Sequence, residues 1–195
     1  MDTSVSSMIN KTIILTINRS IGNIHSVYDE ICDYVTSNAG FLSVEQQHKF
    51  TEELKIIVYE LYSNAVNFST GETVDIELNI SGDLLEILVR TEGSGFRLKP
   101  LQESMEELGE CFPPFSDDLI GKDLTLYRDS DYSVIGNIEK YDSINFFTRQ
   151  DMHRELNLNE VSEHFGLFLI SMLSDDVHYH RSNAEDVFTV RKKIS

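Results

Sequence analysis

The sequence predicts an α+β fold, with a mixed, mainly antiparallel sheet and helices packed on one face. Three observations carry this. Two successive segments before Gly71 place apolar residues at helical spacing. After Gly71 the period drops to two, as in half-buried strands. A further apolar helix beginning near Glu160 and a closing hairpin then follow a long irregular stretch. That order of elements suits one sheet covered by helices, and at 195 residues the chain is sized for a single domain.

Residues 1–10 are polar, as fraying termini are. Lys11 to Asn18 is rich in β-branched residues and reads as the first strand. Asn23 is placed to cap a helix whose apolar stripe is Ile24, Val27, Tyr28, Ile31, Tyr34 and Val35, ending at Asn38-Ala39-Gly40. Ser43 with Gln46 three residues on resembles a capping box for a second, longer helix. The stripe of that helix is Phe50, Leu54, Ile57, Val58, Leu61, Ala65 and Phe68, and Gly71 is its expected stop. Val74, Ile76, Leu78 and Ile80 then alternate with polar residues, Ser81-Gly82-Asp83 turns the chain, and Leu85 to Arg90 returns as a central strand.

The return strand runs into Thr91-Glu-Gly-Ser-Gly-Phe96, where Gly93 and Gly95 would let backbone approach a ligand closely. Residues 97–160 read as an enlarged lid or insertion of mixed structure. A short helix after Pro100 carries Leu101, Met105 and Leu108, Phe112-Pro-Pro-Phe115 breaks regular structure, and short strands are expected at Ser133–Ile138 and Ser143–Phe147. The late helix has Val161, Phe165, Phe168, Leu169, Met172 and Leu173 as its stripe. Gly166 sits in its first turns at a cost of about 1 kcal/mol relative to alanine, which points to close packing or a ligand nearby. Val177–His180, a polar turn at Ser182-Asn-Ala-Glu-Asp186 and Val187–Lys192 form the last hairpin.

Composition narrows the function. A formal net charge of −17 argues against nucleic acid or an anionic membrane as partner, since either needs a basic face. The N-terminal residues have no basic region followed by an apolar run, and nothing approaches a membrane span, so a cytoplasmic location is expected. Two cysteines, Cys32 and Cys111, lack metal-ligand spacing and suit a reducing compartment. His178 and His180 alternate on one strand face, but neither they nor His153 and His164 have a third ligand at a defined spacing, and surface histidines account for them.

The chemistry-bearing pair is Glu60 and Asn64, four residues apart on one helix face. A carboxylate and an amide so placed can hold hydrated Mg²⁺ or orient an attacking hydroxyl, and the same spacing also suits a solvated pair on an exposed face. With Gly93, Gly95 and Gly166 in order behind that pair, the chain resembles the GHKL, or histidine-kinase-like, ATPase superfamily over about residues 11–96 and 161–192. Within it the chain is most similar to the stand-alone bacterial anti-sigma-factor serine/threonine kinases.

The resemblance implies a Bergerat-type two-layer sandwich with an insertion between the glycine motifs. It implies Glu60 as the general base and Asn64 as a ligand of Mg²⁺ on ATP. It also implies a nucleotide site shared by Thr91, Gly93, Gly95, Phe96, Gly166 and Leu167. A regulatory protein partner (a sigma factor or a phosphorylatable antagonist) and a homodimer are implied too. Three positions depart from the family. An aspartate that accepts a hydrogen bond from the adenine amino group is replaced by Thr91, a glycine by His164, and a cation by Glu163. These departures leave a second reading open, in which the same fold binds a partner without using ATP.

Overall fold

The computed structural model describes residues 11–41, 43–101, 109–150 and 164–194. Eight strands form one sheet: β1 (Lys11–Asn18), β2 (Thr73–Ser81), β3 (Leu84–Glu92), β4 (Asp123–Arg128), β5 (Tyr132–Lys140), β6 (Ser143–Gln150), β7 (Asp176–Ser182) and β8 (Glu185–Lys193), in the order β1-β2-β3-β8-β7-β6-β5-β4. Three helices, α1 (Ile24–Asn38), α2 (Val44–Phe68) and α3 (Phe165–Leu173), pack on it. The fold is the expected α+β sandwich, except that every strand pairing among the described residues is antiparallel, so the sheet is not mixed.

Alternation along the strands sets which face is covered. Val74, Ile76 and Leu78 of β2, Leu85, Ile87 and Val89 of β3, and Val177 and Tyr179 of β7 are buried in one cluster with Val27, Ile31 and Val35 of α1 and Leu54, Ile57, Leu61 and Tyr62 of α2. The opposite face is polar. Arg90 pairs with Glu77 at 3.0 Å, and Arg191 bridges Glu86 at 2.6 Å and Asp176 at 2.8 Å. At the β1 edge, Ile14 stands 63% exposed.

Of the stretch 97–160 read as a lid or insertion, residues 123–150 form β4, β5 and β6 and extend the main sheet beyond β7. The strand β4 had no counterpart in the sequence reading. The short helix expected after Pro100 falls mostly on residues outside the described set.

The helix boundaries carry two corrections. Ser43 caps α2 as expected, its side chain accepting from Gln46 N at 3.1 Å, and Gln46 Nε2 donates to Ile194 O at 3.3 Å. Asn23 makes no side-chain cap. It ends the 3-10 turn Ile21–Asn23, and its side-chain amide donates to Asn18 O at 2.9 Å. At the far end α2 stops at Phe68, before Gly71, because Ser69 turns extended (φ −84°, ψ 160°).

The buried face of α3 is also not the expected one. Leu167, Ile170 and Ser171 face inward, while Phe165 is 50% and Met172 39% exposed. A helix reading Phe-Gly-Leu-Phe-Leu-Ile-Ser-Met-Leu is apolar all round, so spacing alone cannot select its inner face.

Two substitutions test that assignment by urea denaturation. Ile170→Ala is expected to cost about 2–5 kcal/mol as a core truncation, and Phe165→Ala less than about 1 kcal/mol as a surface change.

Candidate functional site

One cavity of about 450 Å³ lies between the C-terminal half of α2, the N-terminus of α3 and the ends of β3, β7 and β8. Glu60, Asn64, Thr91, Gly95, Phe96, Gly166 and Leu167 all line it. Three segments that lie far apart in sequence thus meet around one hollow. Its floor is apolar, built from Leu61, Ala65, Val89 and Ile170, and Phe68, 70% exposed, stands at its edge. The sequence reading placed Phe68 in the core stripe of α2. Tyr62, outside that stripe, is fully buried and donates to Ser20 O at 3.0 Å.

Glu60 and Asn64 keep their i, i+4 relation on α2 and face the cavity. Neither side chain hydrogen-bonds a described residue. Gly166 fits closely beneath Glu60, because a Cβ there would run into Glu60 Oε2. The glycine in the first turn of α3 is therefore explained by a carboxylate of the chain itself. Ser69 Oγ, on the same wall, is buried without a partner. Orphan polar atoms of this kind are expected where water or a ligand completes the site.

Gly93 is the one expected site residue that does not line the cavity. It sits between lining residues, where a Cβ would come within 2.8 Å of Asp186 Oδ2 and 3.4 Å of Phe68 O. Gly95 has φ +96°, and a Cβ there would strike the Arg181 guanidinium. Both glycines belong to a polar cluster. Asp186 Oδ1 accepts from Tyr179 OH at 2.5 Å and from Arg181 Nη1 at 3.0 Å. Arg181 Nη2 donates to Gly93 O at 3.0 Å, and Phe96 N donates to Tyr179 OH at 3.1 Å. Burial, followed by the hydrogen bond to Asp186, pushes the Tyr179 hydroxyl well above the usual phenol range, so it remains a donor.

Sequence reasoning placed Asp186 in a polar turn. In the structure the turn is Asn183-Ala184, and Asp186 is a buried residue of β8 on the cavity wall. The usable signal was alternation, since Asp186 shares the inward phase of Phe188 and Val190. Arg97 and Lys99 were missed as well. Both line the cavity, with Arg97 Nη1 3.6 Å from Glu110.

His164 precedes α3 and accepts from Lys99 N at 3.3 Å through Nε2, and its ring lies 6.1 Å from that of Phe96. Glu163 is outside the described residues, as is His153. Glu92, adjacent to Thr91, is exposed and does not line the cavity, as strand alternation requires. His178 and His180 face different carboxylates, Glu139 at 3.1 Å and Asp142 at 3.7 Å. Among the described residues no group of three or more His, Cys, Asp or Glu could hold a metal ion.

The family model for the histidine kinase-like ATPase domain matches residues 28–192, from within α1 to the end of β8. The chain belongs to this family. No curated protein shows significant similarity to it. The histidine kinase-like ATPase fold is an ATP-binding fold, and the cavity between α2 and α3 is where Glu60, Asn64, Thr91, Gly95 and Gly166 converge. No helix among the described residues is long and apolar enough to cross a membrane.

Because Gly95 combines a left-handed φ with a guanidinium in place of its missing side chain, Gly95→Ala should destabilise the fold by at least about 1–2 kcal/mol. Chemical denaturation of the two proteins measures this directly.

Proposed function

We propose that this histidine kinase-like ATPase domain is a regulatory ATP-binding protein resembling an anti-sigma-factor serine/threonine kinase, which controls a partner protein by binding and phosphorylating it. The observation that carries this reading is the convergence of Glu60, Asn64, Thr91, Gly95 and Gly166 on one cavity.

The residues fit Mg²⁺-ATP on three counts. The donor set of Asn64 and Glu60 is hard oxygen, which suits Mg²⁺. An unpartnered buried hydroxyl, Ser69 Oγ, awaits a ligand or water. The apolar floor beside Phe96 and Phe188 has the character expected for a purine, and Arg97 and Lys99 bring positive charge to the same cavity. When bound, Mg²⁺-ATP supplies the transferable phosphoryl group and neutralises its developing charge. Glu60 accepts the proton of the attacking hydroxyl, Asn64 offers its amide oxygen to the metal, and Gly166 leaves Glu60 the space it occupies. The partner in this proposal is a sigma factor or its phosphorylatable antagonist, and the protein acts as a homodimer in the cytoplasm.

A second reading, a binding module that sequesters its partner without ATP, is favoured by one feature. His164 occupies the entrance to α3, where the resembled kinases have a glycine, and its imidazole is engaged with Lys99 N.

Thermal unfolding with Mg²⁺-ATP separates the two. The kinase reading expects about 2.7 kcal/mol of added stability at ligand 100 times above its Kd, lost in Asn64→Ala or on removing Mg²⁺. Glu60→Gln should keep the shift but abolish transfer of labelled γ-phosphate to the bound partner. Absence of any shift at millimolar Mg²⁺-ATP would leave the binding module.

Gly166→Ala should raise or preserve stability without ligand, since alanine favours helix by about 1 kcal/mol over glycine. It should also weaken the Mg²⁺-ATP shift by displacing Glu60. Paired melts with and without nucleotide read both effects.

A further inference from the structure

We infer that Asp186, on β8, is the carboxylate that reads the purine amino group, in place of the residue at position 91 on β3. The inference rests on the nucleotide-binding reading above and adds a specificity-determining residue to it.

Position 91 and position 186 are direct partners in the antiparallel β3–β8 pairing. Opposed residues of such a pair project from the same face with Cβ atoms about 4.5–5.5 Å apart. Both line the cavity. The chain therefore has a hydroxyl where the resembled kinases carry their carboxylate, and a carboxylate on the next strand, one residue across.

Asp186 is held in a way that leaves one oxygen available. Tyr179 OH and Arg181 Nη1 both donate to Oδ1. No described residue donates to Oδ2, which lies beside the backbone of Gly93. The cluster that fixes Oδ1 is tied to the glycine segment through Phe96 N and Gly93 O. The carboxylate is thus preorganised, and little ordering remains when a donor arrives. With Thr91 beside it, the wall presents an acceptor next to a hydroxyl that donates. That pattern complements the amino group and the adjacent ring nitrogen of adenine.

A purely structural role for Asp186 makes a different prediction. An ion pair that only braces the loop would alter affinity for all purine nucleotides alike, whereas an acceptor for the amino group alters the preference between them. The experiment compares ATP with purine riboside triphosphate, which lacks that amino group, by calorimetric titration in Mg²⁺ on the full chain. The wild-type chain should favour ATP by roughly 10- to 150-fold, the range of one charge-assisted hydrogen bond. Asp186→Asn can keep an oxygen toward Tyr179 and Arg181 while presenting NH₂ to the cavity, and the preference should collapse to near unity.

A second variant serves should Asp186→Asn fail to fold. Thr91→Asp sets two carboxylates side by side and should lower ATP affinity. A gain in affinity would make position 91 the reader and overturn the inference. An unchanged preference in folded Asp186→Asn overturns it as well, while the proposed function stands. No binding of ATP to the wild-type chain defeats both.

Discussion

The pairing of β3 with β8 is the constraint on which this structure depends. The other neighbouring strands in the sheet include the hairpins β2–β3, β4–β5, β5–β6 and β7–β8, each closed by a short connection. The β3–β8 ladder instead joins residues about a hundred positions apart, from Leu84 opposite Lys193 to Glu92 opposite Glu185. Closing so long a loop is entropically unfavourable and is offset only when the contacts beyond it form. Those contacts are the apolar layer beneath α2 and the cluster of Asp186, Arg181 and Tyr179 at the end of the ladder. A slip of one residue would turn Asp186 to the open face and bring Val187 onto the cavity wall. The register that builds the sheet is therefore the one that builds the site.

What was legible in the sequence follows from how local each cause is. The alternation in Thr73–Ser81 and Leu84–Glu92 has one buried and one polar face, and it located both strands. Ser43 was legible because a cap needs only its own turn. Asn23 has the right side chain for the same task, but it closes a 3-10 turn and its amide reaches Asn18 O, a preference visible only once β1 is in place. The stripe of α1 held throughout, with Val27, Ile31 and Val35 fully inside. In α3 an apolar sequence all round left its inner face to be chosen by the sheet.

The site was legible in part for the same reason. Glu60 and Asn64 are an i, i+4 pair, and their meeting with Gly95 and Gly166 was an expectation of the family resemblance. Asp186 was not legible, because Ser-Asn-Ala-Glu-Asp has the composition of a turn. Only the two-residue turn at Asn183-Ala184 shows that the strand has already begun at Glu185. Arg97 and Lys99 follow the glycine segment in a stretch without periodicity. In a chain of net charge −17 they are a local reversal that no overall count reveals.

The glycines take on a different meaning in this arrangement. Read as sequence, Gly93 and Gly95 let backbone approach a ligand closely, and Gly166 points to close packing or a ligand nearby. In the structure each faces the end of a charged side chain of the protein itself: Asp186, Arg181 and Glu60 respectively. Their common role is to let charges that belong to the site approach the backbone, so that the wall carries functional groups where side-chain bulk would otherwise stand. This is how Asp186 comes to present a carboxylate to the hollow beside Thr91. The Gly93 backbone leaves room for Asp186 to reach across from β8, and Arg181, fitted under Gly95, holds it there. The space at these three positions, more than the identity of any one motif residue, is what keeps the cavity chemically equipped.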